Sequence, residues 1–231
     1  MKIFFVSLFV VFSSVRVSAQ YTQTVTPILE NGVMKELPPR IGDVKGSVYL
    51  NEDWIKSDLY LKPGVFSSDR IENMPIKLDL QYNTVELLTD AGVRVLDDAK
   101  LDRFEFADPE TGERSAYVSA SQFTLDGSPL SGFCKVSGDR VKLVRRDYLE
   151  VLKPNYNVAM DVGSRDNQII KKYKLYLSKD GELLDCSKKS LYVLMADKQN
   201  EIREFIKDQH PKMSKEDDVK SIVNYYDVIS K

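Results

Sequence analysis

From residue 46 onward, apolar side chains recur at every second position in short runs, and most runs end at residues suited to reversing the chain. Because alternate side chains of a strand point to opposite faces, these runs predict antiparallel strands at 47–50, 58–62, 76–81, 85–89, 93–96, 101–106, 116–119, 132–136, 141–145 and 172–178. Reversals fall at Pro63-Gly64, Tyr82-Asn83, Ala91-Gly92, Ser137-Gly138-Asp139 and Asp180-Gly181, where Gly, Asn or Asp tolerates positive φ or caps its own backbone. Such short links favour a meander, since a parallel sheet would need long crossovers.

After Cys186 the spacing lengthens to that of helices. A short helical stretch is expected at 188–195, and Asp197 is placed to cap a helix running to about Gln209, with Ile202, Phe205 and Ile206 on one face. His210-Pro211 breaks it. Ser214-Lys215-Glu216-Asp217 then reads as a capping box that opens a helix with Val219, Ile222, Val223 and Tyr226 on one stripe. The expected fold is α+β: an antiparallel β-meander, as a curved sheet or partial barrel, followed by a C-terminal helical hairpin packed on it.

The N-terminus follows a different logic. Lys2 precedes an almost unbroken apolar run over residues 3–12, and Val17-Ser18-Ala19 offers small residues for cleavage, the pattern of a signal peptide. The run is roughly half the ~20 residues a membrane-crossing helix needs. Residues 1–19 are therefore expected to be removed and the protein exported, to the periplasm or as a secreted chain. Residues 20–45 carry Pro27, Pro38, Pro39 and Gly32 without sustained periodicity and read as an N-terminal arm, with one short strand expected around residues 21–25. The antiparallel β domain is expected over 46–186 and the helical segment over 187–231.

Charge and cysteine content narrow the possible partners. The 231 residues carry 33 basic and 35 acidic side chains; Lys2 and Arg16 leave with the leader, so the exported chain has 31 against 35. That balance argues against broad attraction to nucleic acid or anionic lipid. The helical segment carries nine Lys or Arg against eight Asp or Glu, unlike a membrane-surface helix. Cys134 and Cys186 form an even pair in an oxidising compartment, so they are a candidate disulfide; two separate buried thiols are the alternative.

No catalytic constellation emerges. The single histidine, His210, falls in an inter-helix turn, away from any nucleophile. The HExxH pair, the phosphate-binding loop and the dinucleotide fingerprint are all missing, no cofactor or metal is expected, and Asp161 to Asp166 matches no calcium loop. A glycosidase needs only two carboxylates, and Asp53, Asp58, Asp79, Glu86, Asp97, Asp98, Glu105 and Glu110 could supply them. The basic group Arg140, Lys142, Arg145 and Arg146 is flanked by Asp139 and Asp147 and reads as a solvated strand face.

Aromatic residues give the one positive hint of a binding surface. Tyr49, Trp54, Tyr60, Phe66 and Tyr82 lie in one β-rich stretch, and Trp54, Tyr49, Tyr60 and Tyr82 are the candidate binding residues. Core packing is the competing role.

The runs Gly46-Ser47-Val48-Tyr49-Leu50-Asn51-Glu52-Asp53-Trp54, Asp58-Leu59-Tyr60-Leu61-Lys62-Pro63-Gly64 and Met74-Pro75-Ile76-Lys77-Leu78-Asp79 resemble the opening of small exported proteins of Bacteroidota, a group without assigned activity. The resemblance implies export and architecture, and no chemistry.

Three functions follow as expectations. The first is a non-catalytic envelope or secreted protein that binds a protein or envelope component, or plays a structural part. The alternatives are a carrier of an apolar ligand in a half-barrel cavity, and a carboxylate-based hydrolase. A hollow concave face would mark the carrier, and two carboxylates meeting in a cleft the hydrolase.

Overall fold

The computed structural model describes residues 45–64, 68–107, 112–155, 160 and 166–231. The strands are β1 (Ile55–Leu61), β2 (Arg70–Asp79), β3 (Thr84–Thr89), β4 (Gly92–Leu96), β5 (Leu101–Ala107), β6 (Arg114–Ser119), β7 (Thr124–Leu125), β8 (Ser128–Pro129), β9 (Phe133–Ser137), β10 (Lys142–Leu152), β11 (Gln168–Ser178) and β12 (Leu184–Asp185). Three helices follow: α1 (Lys188–Leu194), α2 (Gln199–Gln209) and α3 (Glu216–Ile229). Ten strands form one antiparallel sheet in the order β12-β11-β10-β9-β6-β5-β1-β2-β3-β4, while β7 and β8 pair separately. The fold is thus α+β and mostly a meander, and the sheet does not close into a barrel.

One link shows how strongly the sheet curls. In a flat sheet β4 and β5 would lie four strand spacings apart, about 19 Å. They are instead joined by one tight turn, in which Leu101 N–H donates to Asp97 O at 3.1 Å. The strands β5-β1-β2-β3-β4 must therefore roll up, and their inward residues fill the roll: Leu59, Ile76, Leu87, Leu96, Leu101 and Phe104 are all buried. Phe104 stacks on Tyr117 at 5.1 Å and meets Phe133 edge-on at 5.4 Å, carrying this core across to β6 and β9.

Further along the sheet the helices take over the role of cover. Val141, Leu143, Leu175 and Leu177 pack against Leu191, Ile202, Ile206, Val219, Ile222 and Tyr226. Full burial of each such side chain contributes roughly 1.5–3 kcal/mol. On the opposite face Cys134, Val144 and Tyr176 are covered by Ala120, Phe123 and Leu183. Cys134 and Cys186 are both free thiols. Cys134 packs in this last cluster, whereas Cys186 packs with the helices, so the two thiols of the candidate disulfide lie in different packed layers.

Several local expectations need correction. Residues 47–50 make a bridge, Tyr49 with Asp79, in place of a full strand; Leu50 N–H donates to Leu78 O at 2.9 Å. β2 begins at Arg70, six residues before the first apolar alternation, and accommodates Pro75 where pairing with β3 has not begun. Asp197 does not cap α2: it lies in a 3-10 turn and accepts the Tyr226 hydroxyl at 2.8 Å. Ser214 does not cap α3 either, because Lys215 N–H closes a turn onto Lys212 O at 3.0 Å and makes Lys215 the preceding residue. His210 ends α2 in the left-handed region, φ +49°, before Pro211 prevents continuation.

Candidate strand-docking groove

Strand β10 is longer than its neighbour on one side. All eleven of its residues pair with β11, but only Leu143, Val144 and Arg145 pair with β9. Residues 146–152 therefore have no strand on that side among the described residues. β9 leaves β10 after Lys135 but stays paired with β6 through Phe133; just before it, Gly132 turns the chain, with φ +86°, against the β2–β3 turn, where a Cβ would lie 2.6 Å from Asn83 Cβ. Gly132 N–H is held by Asp98 Oδ2 at 2.8 Å. An open groove of about 610 Å³ lies here, lined by Leu80, Gln81 and Asn83 at the β2–β3 turn, by residues 146–149 and Val151 of β10, and by Ile169, Lys174 and Tyr176 of β11.

The edge beside this groove is apolar for a surface strand. Tyr148, Val151, Leu152 and Tyr173 are exposed large side chains of the β10–β11 hairpin. Backbone N–H and C=O groups on an unpaired edge present a template for another strand.

An ionic network lies against one end of the groove. Leu143, Arg145, Asp147 and Leu149 share one face of β10 by alternation, so two charged residues stand on an inward, apolar face. Arg145 donates to Asp147 Oδ1 at 2.6 and 2.9 Å and to Glu216 Oε2 at 2.6 Å, while Lys135 lies 2.8 Å from Glu216 Oε1. Asp147 is 5% exposed, and its Oδ2 has no hydrogen-bond partner. Burial pushes the Asp147 carboxyl above its ordinary value, only partly offset by Arg145. Burial acts the same way on Glu216, but hydrogen bonds from Lys135 and Arg145 outweigh it and hold that carboxyl low. Burial works against the Arg145 charge as well, yet Asp147 and Glu216 raise its pKa.

The aromatic candidates do not form an open platform. Lys77 Nζ sits over both Tyr49 and Trp54, at 4.9 and 5.0 Å, and the Tyr49 hydroxyl donates to Glu86 Oε2 at 2.9 Å. Tyr60 has Arg103 at 3.9 Å and Arg70 at 5.3 Å. Each of these rings thus has one of the protein's own cations against it. Tyr82 stands apart at the β2–β3 turn, its N–H held by Asp79 Oδ1 at 3.2 Å. Phe66 and Glu110 lie outside the described residues.

Two of the candidate carboxylates are brought together. Asp58 and Glu105 face each other across β1 and β5, but both are bound by Arg114, and Asp58 is further held by Arg70 at 3.1 Å. The Asn73 backbone N–H, with Arg70, holds the Asp58 carboxyl below its ordinary value, so it is a poor proton donor. Asp79 and Asp98 accept backbone N–H groups at turns, and the buried Glu86 accepts from Tyr49. The basic group is split by alternation: Arg145 is drawn into the buried network and Arg146 lines the groove. The expectation of a uniformly solvated basic face is corrected accordingly. His210 is exposed in its turn.

Inside the roll, the space among Leu50, Ile55, Ile76, Leu78, Phe104 and Phe106 is about 10 Å³. That is room for about one water-sized probe. Among the described residues no helix is long and apolar enough to cross a membrane. Comparison with protein-family models, curated proteins and solved structures finds no match to this chain.

Sequence reading missed this groove because it depends on where β9 ends relative to β10. The readable trace was the pair of charges, Arg145 and Asp147, at inward positions of an otherwise apolar run.

Proposed function

We propose that this is an exported, non-catalytic binding protein whose free β10 edge takes up an extended polypeptide segment from an envelope or secreted partner. The observation that carries the reading is the seven-residue run 146–152, which among the described residues pairs with no strand on one side and borders the 610 Å³ groove. Strand addition of this kind draws affinity from main-chain hydrogen bonds and specificity from pockets for alternate side chains. The space of about 10 Å³ inside the roll is small for an apolar ligand, and Asp58, held below its ordinary value by the Asn73 N–H and Arg70, is a poor acid for a carboxylate pair.

Selection of a displayed random-peptide library on the chain from Gln20, followed by amide chemical-shift mapping, tests it. Selected peptides are expected to perturb residues 80–83 and 146–152; a failure to select any peptide, or shifts confined elsewhere, would overturn the reading. Export is tested separately by mass spectrometry of protein recovered outside the cytoplasm. An N-terminus at Gln20 is expected, and an intact Met1 in that fraction would refute cleavage.

A further inference from the structure

The open edge of β10 carries a charge pattern of its own. Arg146, Tyr148 and Glu150 share one face of the strand by alternation. Across the ladder Arg146 stands directly opposite Lys174 of β11, and Tyr148 opposite Lys172. Both Arg146 and Lys174 line the groove. Side chains directly opposite on one face stand about 5 Å apart at Cβ, so two cations there repel unless each has an anion of its own.

The fold supplies anions to the two lysines. Lys174 Nζ lies 2.9 Å from Asp185 of β12, the strand on the other side of β11, and Lys172 Nζ lies 2.6 Å from Glu150. Arg146 is half-buried and has no carboxylate partner among the described residues. A strand neighbour for it would come from the side of β10 where pairing with β9 has ended at Arg145. The row Asp185, Lys174, Arg146 therefore runs anion, cation, cation and stops at the open edge, where a negative charge would complete the alternation.

A strand laid along 146–152 brings such a charge within reach. Its residue opposite Tyr148 points to the Arg146 face, and diagonal neighbours on one face lie about 7–8 Å apart, a span that the long side chains of Arg and Glu bridge. The guanidinium can then donate two parallel hydrogen bonds to the carboxylate. Residues opposite Leu149 and Val151 point to the other face. Leu149 packs on the core of the roll and Val151 is exposed, so those positions suit apolar side chains. A basic residue in place of the acid would set a third cation beside Arg146 and Lys174.

We propose that the segment docked on β10 is acidic: an extended stretch of a partner protein with an Asp or Glu on the Arg146 face and apolar residues on the Leu149 face. This rests on the reading of β10 as a docking edge, and it assigns Arg146 as the residue that sets the charge preference of that edge.

Displayed random-peptide libraries selected in parallel on the chain from Gln20 and on its Arg146→Glu and Arg146→Gln variants test it. Arg146→Glu places opposite charges on the Lys174 pair, so the reversal is made without adding repulsion within the sheet. Peptides selected on the parent are expected to carry an acid alternating with apolar residues and to perturb the amides of residues 146–152. Synthesised with Lys in place of that acid, they should bind the parent at least about tenfold more weakly. The difference should shrink on Arg146→Gln, and on Arg146→Glu the Lys form should bind the more tightly. Peptides that perturb residues 146–152 yet bind equally well with Glu, Gln or Lys, or an acid preference that persists undiminished in both variants, would overturn the proposal and leave the docking reading standing. Failure to select any peptide, or shifts confined elsewhere, would overturn both.

Discussion

Arg145 Nη1 lies 2.6 Å from Glu216 Oε2, which ties the first residue of α3 to the middle of β10, 71 positions earlier. The contact sits where the core of the rolled sheet gives way to the core beneath the helices, and it sets α3 against the inward face of β10.

The two carboxylates on Arg145 should leave opposite marks on stability against pH. Glu216 is held below its ordinary 4.5, so its contribution is present above that value and lost as pH falls through the lower folded value. Asp147 is raised above its ordinary 3.8, so its contribution is present below 3.8 and lost as pH rises through the raised folded value. Glu216→Gln is expected to lower stability at neutral pH by about 2 to 3 kcal/mol, because Arg145 and Lys135 lose a buried partner, and to flatten the acid limb. Asp147→Asn should remove the decline above 3.8. Urea midpoints measured from acid to neutral pH decide this; curves parallel to the parent's would refute it.

The Tyr226 hydroxyl spans 29 positions to reach Asp197 Oδ1. That hydrogen bond holds the Asp197 carboxyl below its ordinary value, so its stabilisation is present above 3.8 and lost as pH falls through the lower folded value. Tyr226→Phe keeps the buried ring and removes only the hydroxyl. A loss of about 1 kcal/mol at neutral pH is expected, vanishing at strongly acid pH. A loss that is the same at both ends would mean ring packing, and not the hydrogen bond, had been disturbed.

Gly138 turns the chain between β9 and β10 with φ +88°, directly beneath α3, and an added Cβ would lie 2.2 Å from Val223 Cγ1 and 2.6 Å from Val141 O. Gly138→Ala should cost roughly 2 to 4 kcal/mol, combining left-handed strain with overpacking. Adding Val223→Ala should recover only part of the loss, because the backbone clash with Val141 O remains. Full recovery in a double-mutant cycle would contradict this.

Both thiols should titrate as free under non-reducing conditions. Burial pushes Cys134 up to about 12 and Cys186 up to about 11, and only Cys134 is fully buried. Thiol labelling with mass detection should therefore modify Cys186 first and Cys134 only on unfolding. A chain two mass units lighter with no reactive thiol would show a disulfide instead.

The amino-acid sequence by itself determined the secondary structure wherever one face is buried. In β5, Phe104 and Phe106 are packed inside the roll while Arg103 and Glu105 face out, so that alternation was legible, although Leu101 is buried with them only across a register shift opposite Tyr60 and Leu61; α3 shows its stripe for the same reason. The signal faded in the distal half of β10: beyond Arg145 only β11 pairs with it among the described residues, and Tyr148, Glu150 and Leu152 share one face with no consistent polarity. Tertiary structure alone decided which strands end early, which thiols share a layer and which charges meet. Gly132 turns closely against Asn83 just before β9, and Glu216 meets Arg145 because α3 docks on β10. Such contacts join residues distant along the chain, and they leave no period or spacing in the sequence to read.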